Sequence, residues 1–281
     1  NVDIIGNDIE LTYTYSYAMY TYYTDNFNIS GNTAMGGGYG LYCYYANRNI
    51  TPAIRSTITN NFFGGANTYG LTLYYPNAIN VHHNSARGGN RGLYVYGFQT
   101  ASLETDVRNN IFYGAGGESV YFTNSQGGAI TADYNLYFAG GTNIAYWKNA
   151  AASNLAALQA ADTANNANSI QGDPGFISTT DFHITGTLPN DVADNSTSVV
   201  VDIDGDSRPA SGSTTKDIGA DEYTPLNWDA SLEAIMVPMG GCGDSTTMVQ
   251  AVVKNFGLNT ITSLPITVSY SGGLTGSVSV T

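Results

Sequence analysis

The chain has 281 residues, a net charge of −13 and only 11% charged residues, less than half the usual share. So acidic a chain with so few basic residues excludes nucleic acid and anionic membrane surfaces as natural partners, and 42% hydrophobic content with 12% aromatics excludes an unfolded chain. No apolar run reaches about 18 residues, so no membrane insertion is expected in this segment, and no basic-then-apolar leader opens it.

From its first residues the chain repeats itself. Ile4-Ile5-Gly6-Asn7, Ile29-Ser30-Gly31-Asn32, Ile58-Thr59-Asn60-Asn61, Val81-His82-His83-Asn84, Val107-Arg108-Asn109-Asn110 and Ala132-Asp133-Tyr134-Asn135 align, with asparagines 25, 29, 23, 26 and 25 residues apart. A second strand-like segment follows most of them: Leu41–Tyr44, Leu71–Tyr74, Leu93–Tyr96, Val120–Thr123 and Ile144–Trp147. In the first coil it falls within Tyr15–Tyr23. A period near 25 residues with short β runs and no helix predicts one turn of a parallel β-helix per repeat. Leucine-rich repeats need a Leu framework that is missing, and propeller blades need about 40 residues.

Asparagine has a reason to recur. It tolerates the left-handed conformation that a sharp turn between strands demands. Its amide can also bond the equivalent amides one coil above and below. Asn7, Asn32, Asn61, Asn84, Asn110 and Asn135 are therefore expected to form a ladder. The ladder fixes facing. Ile4, Ile29, Ile58, Val81, Val107 and Ala132 point inward; Ser30, Thr59, His82, Arg108 and Asp133 point outward. In the second strand, Leu41/Cys43, Leu71/Leu73, Leu93/Val95, Val120/Phe122 and Ile144/Tyr146 point inward. The outward columns then read Tyr42, Thr72, Tyr94, Tyr121, Ala145 and Tyr44, Tyr74, Tyr96, Thr123, Trp147.

Past residue 148 the pattern changes. Ser153 can cap a short helix over residues 155–160, and Asp173-Pro174-Gly175-Phe176 reads as a turn. The irregular stretch of about 150–223 is expected to finish the solenoid and cover its end, where unpaired backbone would otherwise face water. Thr224–Asn227 reads as a linker. Strand patterning resumes over Ala230–Pro238, Met248–Val253, Ile261–Tyr270 and Gly276–Thr281, with turn signals at Asn255-Phe256-Gly257 and Ser271-Gly272-Gly273. The expected organisation is all-β: a parallel β-helix with its cap over 1–223, then part of a β-sandwich over 224–281. The sequence opens inside a coil and stops inside a strand, so a longer polypeptide is expected. Cys43 and Cys242 have no metal-site spacing and fall in different domains; no disulfide is expected, and Cys43 reads as a small core residue.

Three groups of residues could carry function. His82, Arg108 and Asp133 share one outward position on successive coils, with Asp106 beside them. An Arg between carboxylates next to a His could serve β-elimination, or could be a surface ion pair. Asp202, Asp204 and Asp206 resemble a calcium loop. Ser207 and Ser213 stand where an EF-hand needs Gly and Glu, which leaves pairing with Arg208 as the simpler reading. No metal ligand is assigned, and structural calcium stays open. The tyrosine columns, represented by Tyr42, Tyr44, Tyr74, Tyr94, Tyr96, Tyr121 and Trp147, form a flat amphipathic strip suited to sugar rings or a protein partner. Tyrosine also stabilises sheets by cross-strand stacking alone.

The asparagine-bearing coils resemble the right-handed parallel β-helix repeats of the pectate lyase-like superfamily. The run Asp133–Tyr137, Asp173–Phe176, Asp202–Pro209 and Asp217–Tyr223 resembles the C-terminal end of β-helix domains in secreted bacterial surface proteins. From Trp228, with Gly241-Cys242-Gly243 and Val252–Gly257, the chain resembles the opening of an Ig-like module in proteins exported by Bacteroidota-type bacteria. This resemblance implies an extracellular or cell-surface location. The superfamily mixes lyases, hydrolases and non-catalytic adhesins. The hydrolase motifs Asn-Thr-Asp, Asp-Asp, Gly-His-Gly and Arg-Ile-Lys are missing here, and Lys148 is the single coil lysine. The expectation is a non-catalytic rigid segment, without cofactor, that binds a glycan or another surface protein. A polysaccharide lyase or hydrolase built on His82, Arg108 and Asp133 is the alternative, and a purely structural spacer is a third reading.

Overall fold

The sequence repeat becomes three walls. Each ladder asparagine follows a four-residue strand, and these strands pair in parallel into a first sheet: Val2–Ile5, Phe27–Ser30, Ser56–Thr59, Ile79–His82, Thr105–Arg108 and Ile130–Asp133. The computed structural model describes residues 2–48, 54–65, 67–99, 103–123, 130–237, 250–255, 257, 259–270 and 276–280. Ile4, Ile29, Ile58, Val81, Val107 and Ala132 stand in register from coil to coil. From Ile29 onward they are at most 1% exposed.

The chain then turns sharply at a residue in the left-handed region, Gly6, Gly31, Asn60, His83, Asn109 or Tyr134, with φ between 52° and 65°. The left-handed residue is thus the one before the ladder asparagine, not the asparagine itself. The turn is made first, and the asparagine amide is left free to point inward between coils. Each Oδ1 accepts both the backbone N–H and the Nδ2 of the asparagine one coil earlier, the amide–amide bonds running 2.8–3.0 Å from Asn7 to Asn135. Spare Nδ2 hydrogens go to carbonyls such as Ser30 O and Ile4 O for Asn32. At the far end Ser169 Oγ accepts the Asn135 N–H.

After the turn comes the second sheet: Asp8–Leu11, Thr33–Gly36, Phe62–Gly65, Ser85–Gly88, Ile111–Gly114, Leu136–Ala139 and Ile170–Gln171. A corner leads to the third: Tyr17–Tyr22, Tyr39–Tyr44, Tyr69–Tyr74, Arg91–Tyr96, Val120–Thr123 and Ala145–Trp147 in parallel, with Ala150–Ala152 antiparallel at the end. The result is a right-handed parallel β-helix filled by Ile29, Leu41, Phe63, Leu71, Leu73, Val95, Phe112 and Phe122. Cys43 lies among them, 1% exposed.

The segment expected to cap the solenoid does two separate things. Its first part covers the end. Helix Leu155–Ala161 is capped by Asn154, whose side chain accepts from Ala157 N, and not by Ser153. Ala152 and Leu158 close the core, and Ile170–Gln171 adds a strand beside Leu136–Ala139. Its second part, 173–223, is a strap along the outside of the second sheet. Phe182 packs with Met35 and Phe62, and Ile218 with Ile111 and Leu136. Gly219 N donates to Asn109 O at 2.8 Å, Ala220 N to Ser85 Oγ at 3.1 Å, and Asn60 Nδ2 to Val201 O at 2.6 Å. Arg208 and Glu222 form an ion pair inside the strap, both 1% exposed or less. The strap answers a need visible in the strands: Phe62, Ile111 and Leu136 face outward beside the inward Phe63, Phe112 and Tyr137, and outward apolar groups need a cover.

Residues 1–224 form one compact unit and 225–281 a second. The second consists of two antiparallel pairs, Ala230–Val237 with Gln250–Asn255 and Ile266–Tyr270 with Gly276–Val280, a pattern consistent with part of a sandwich. Gly241-Cys242-Gly243 and Phe256, on which the Ig-like resemblance draws, and the expected turn at Ser271-Gly272-Gly273 lie outside the described residues.

Candidate functional site

The third sheet turns one face inward and presents the other as a wall of tyrosine. Strand alternation sends every second side chain outward, and parallel pairing in register stacks equal positions. One column runs Tyr20, Tyr42, Thr72, Tyr94, Tyr121, Tyr146. Its neighbour runs Tyr22, Tyr44, Tyr74, Tyr96, Thr123. In the second column ring centroids are 5.4, 5.6 and 4.5 Å apart with planes within 24° of parallel. In the first column Tyr94, Tyr121 and Tyr146 stack at 5.6 and 4.4 Å. Thr72, which interrupts that column, is fully buried where Tyr74 approaches both Tyr42 and Tyr94.

The last rung differs from the sequence reading. Ala145 pairs with Val120, Tyr146 with Tyr121 and Trp147 with Phe122, so the strand starts one residue later than expected and Ala145, Tyr146 and Trp147 exchange faces, while Ile144 stays in the core. Trp147 is a core residue, 2% exposed. Its ring meets Phe122 at 5.1 Å and its Nε1 donates to Asp162 at 2.8 Å. Tyr146 takes its place on the outer face.

Two further columns were not anticipated. Tyr17, Tyr39, Tyr69 and Arg91 line up one pleat before the first. Tyr23, Tyr45 and Tyr75 line up just past the second, at a turn where all three hold φ near +50°, with ring centroids 5.1 and 4.5 Å apart. The sequence does carry a signal for both, namely the doublets Tyr22-Tyr23, Tyr44-Tyr45 and Tyr74-Tyr75 and the triplets Tyr39-Gly40-Leu41, Tyr69-Gly70-Leu71 and Arg91-Gly92-Leu93. Most of the chain's 22 tyrosines therefore share one surface. The rings near the N-terminal end are the most open, with Tyr20 50% and Tyr22 57% exposed.

Arg91 supplies the one positive charge within these columns. Its guanidinium lies 4.0 Å from the Tyr121 ring centroid, and it bonds Glu118 at 3.1 Å and the Tyr69 hydroxyl at 3.0 Å. Burial, then the neighbouring Tyr74 and Tyr69, push the Tyr94 phenol up to about 12 against the opposing pull of Arg91. Burial and Tyr74 raise Tyr42 as well. Tyr94 and Tyr42 therefore remain protonated donors at every physiological pH. Taken together the face offers flat apolar rings, hydroxyl donors and acceptors at their rims, and little charge.

The second candidate group is not assembled as the alternation alone suggests. His82, Arg108 and Asp133 do share a register position, but Asp133 does not reach Arg108. Its carboxylate accepts the Tyr134 N–H and two bonds from Asn168. Arg108 is held instead by Asp106 and by Asp194 of the strap, at 2.5 and 2.6 Å, and His82 Nε2 lies 3.0 Å from Asp106. His82 is 5% exposed. The neighbouring His83 is buried, with Nε2 near Thr197 Oγ1 and Asn109 Nδ2. Burial drives its pKa far down, and Arg208 adds to this. The patch is a docking point for the strap, and it leaves neither an open cleft nor a free base.

In the Asp202–Asp206 loop the Asp202 carboxylate is consumed by backbone. Oδ1 accepts from Asp204 N and Asp206 N, and Oδ2 from Glu222 N. Arg208 pairs with Glu222 and with none of the three aspartates. Among the described residues, the one group of His, Cys, Asp or Glu whose donor atoms converge closely enough for a metal ion is His183, Asp204 and Asp221.

Comparison with known proteins gives one family. The family profile described as "NosD: Periplasmic copper-binding protein (NosD)" matches residues 1–155. No curated protein and no solved structure matches the chain.

Proposed function

The chain belongs to the NosD family, and from that membership together with the tyrosine wall we propose that it is a non-catalytic solenoid segment of an exported protein whose third sheet binds glycans. The family's description as periplasmic supports export. The observation that carries the binding reading is the Tyr23–Tyr45–Tyr75 column. A bulky residue in the left-handed region costs about 1–2 kcal/mol, which Gly or Asn largely avoids. Three successive coils keep tyrosine there nevertheless, and so extend the aromatic surface past the strand's end. Strained residues that cluster on an exposed face are a starting point for a hypothesis of function. A sugar ring presents a flat C–H face that stacks on such rings while its hydroxyls meet phenol groups at the rim.

Copper, named in the family description, has no fitting donor set in the described coils. A copper site needs soft or imidazole donors that converge. The Cys43 thiol lies in the core, and burial pushes it up to about 11 against the opposing hydrogen bond with Thr21. Met19 and Met35 are buried in separate clusters, and His82 and His83 are engaged as described above.

Glycan-array screening followed by calorimetry on the full chain tests the reading. Replacing Tyr44, Tyr74 and Tyr96 together by Ala removes about 1 kcal/mol of stacking per ring, an affinity loss of about a hundredfold. Tyr45→Asn with Tyr75→Asn relieves strain, so the melting temperature stays within a few degrees while binding weakens. Undiminished binding in both variants refutes a sugar-binding face. Binding lost only in proportion to lost stability returns the tyrosines to a purely structural role.

A further inference from the structure

On the outside of the second sheet, away from the tyrosine wall, the strap gathers one imidazole and three carboxylates. His183 Nδ1 lies 2.5 Å from Asp181 Oδ1, and Nε2 lies 2.9 Å from Asp204 Oδ2. Asp221 approaches from the strap's last turn, and the donor atoms of His183, Asp204 and Asp221 all lie within 4.8 Å of one another. Each is held in place by backbone. Ile184 N–H anchors Asp221 at 2.8 Å, and the loop that carries Asp204 is wound around Asp202. Asp181, His183 and Asp204 border a cleft of about 520 Å³ between strap and sheet, whose other wall brings Asp8 and Glu10, while Asp221 lies buried behind them. No lysine or arginine lines it.

This donor set has a chemical preference. One imidazole nitrogen with two carboxylate oxygens suits a borderline divalent cation, and Zn²⁺ binds such groups at about 2.0–2.2 Å. Donors around such an ion stand about 3–4 Å apart, so a span of 4.8 Å closes with small rotamer shifts. Metal-binding histidines characteristically give their second nitrogen to a carboxylate, which fixes the tautomer and raises ligand basicity. Asp181 stands in that position. The acidic cleft concentrates cations near the site and leaves room for water as a further ligand.

We propose that His183, Asp204 and Asp221 bind a divalent cation of the Zn²⁺ class, with Asp181 orienting the imidazole and water from the cleft completing the coordination. The ion takes the place of the proton on His183 Nε2, which leaves to solvent. The site stands apart from the tyrosine wall, and its test is independent of the glycan reading.

Titration calorimetry with ZnCl₂ on the chelator-stripped full chain is expected to give one ion per chain. His183→Gln and Asp204→Asn each weaken binding at least about tenfold, while circular dichroism shows an unchanged fold. Asp204 is half exposed, so its amide variant tests the site with little risk to folding. Co²⁺ gives visible ligand-field bands that disappear in His183→Gln, and CaCl₂ binds much more weakly than ZnCl₂. No heat of binding, Zn²⁺ affinity that survives His183→Gln, or Ca²⁺ binding as tight as Zn²⁺ would each overturn the proposal.

Discussion

A ladder asparagine in mid-stack has no spare valence. Asn84 Nδ2 donates to Asn110 Oδ1, Ile58 O and His82 O, while its Oδ1 accepts both the N–H and the Nδ2 of Asn61. All of this sits at zero exposure. Asn84→Ala therefore strands several buried polar groups at once, and each unsatisfied group costs about 1–3 kcal/mol. The expected loss is about 4 kcal/mol in urea unfolding. Asn7→Ala at the open first rung should cost about 1 kcal/mol, because Asn7 is exposed and water can replace its partners. Equal costs at the two positions would remove burial as the source of the ladder's strength. The ladder was legible because one residue type recurs at the coil period and has a single physical use there. The left-handed turn was misplaced by one residue because Gly6, Gly31, Asn60 and Asn109 sit directly beside the ladder and share its tolerance for that conformation. Trp147 was misread for a related reason. Alternation carries no information about the residue at which a strand begins, and a slip of one exchanges inside for outside.

At the level of elements, the strap's attachment to the first sheet turns on Asp106. Burial alone would raise its carboxyl, but hydrogen bonds from His82 and Arg108 outweigh this and hold it at about 2. Asp194, which grips the other side of Arg108, is also lowered, with bonds from Ser196 and Arg108 outweighing burial. A carboxylate whose folded value lies below its unfolded value adds stability that is complete above about pH 4 and is lost as pH falls through about 2. The expected outcome is that wild type exceeds Asp106→Asn in thermal stability at pH 7, and that the gap narrows between about pH 4 and 2. A gap that stays constant down to pH 2 would show that the Asp106 charge plays no part in holding the strap. Register placed His82 and Arg108 on one face, so half of this cluster was legible. The partner that decides its role, Asp194, is 86 residues away from Arg108, and no local pattern reaches that far. The same distance explains why the metal-type donor set went unseen: Asp181, His183, Asp204 and Asp221 meet only after the strap has folded back on itself.

For the solenoid as a whole, stability is a sum of neighbour-to-neighbour coil contacts, and each coil gains a further term from whatever covers its outer faces. On the third sheet, among the described residues, the tyrosines are covered mainly by one another, with Arg91 lying over Tyr121. On the second sheet Phe62, Ser85, Ile111 and Leu136 are wholly or almost wholly buried because 173–223 lies across them. The strap therefore ties successive coils together, through Val201 to Asn60, Thr197 to His83, Gly219 to Asn109 and Ala220 to Ser85, and turns a nearest-neighbour stack into a cross-linked one. A chain ending at residue 172 would keep the ladder and the helix that closes the core, so its far-ultraviolet dichroism should stay β-like. It would expose the outward phenylalanine, isoleucine and leucine, however, and a contiguous apolar strip of that kind attracts hydrophobic dyes and other copies of the chain. The expected result, relative to the full chain, is stronger anilinonaphthalene sulfonate fluorescence, a melting temperature lower by at least about 10 °C and more concentration-dependent association. If the shortened chain melts where the full chain does and stays dark with the dye, the coils are self-sufficient. The strap would then exist for the cleft it closes over, and not for the walls it covers.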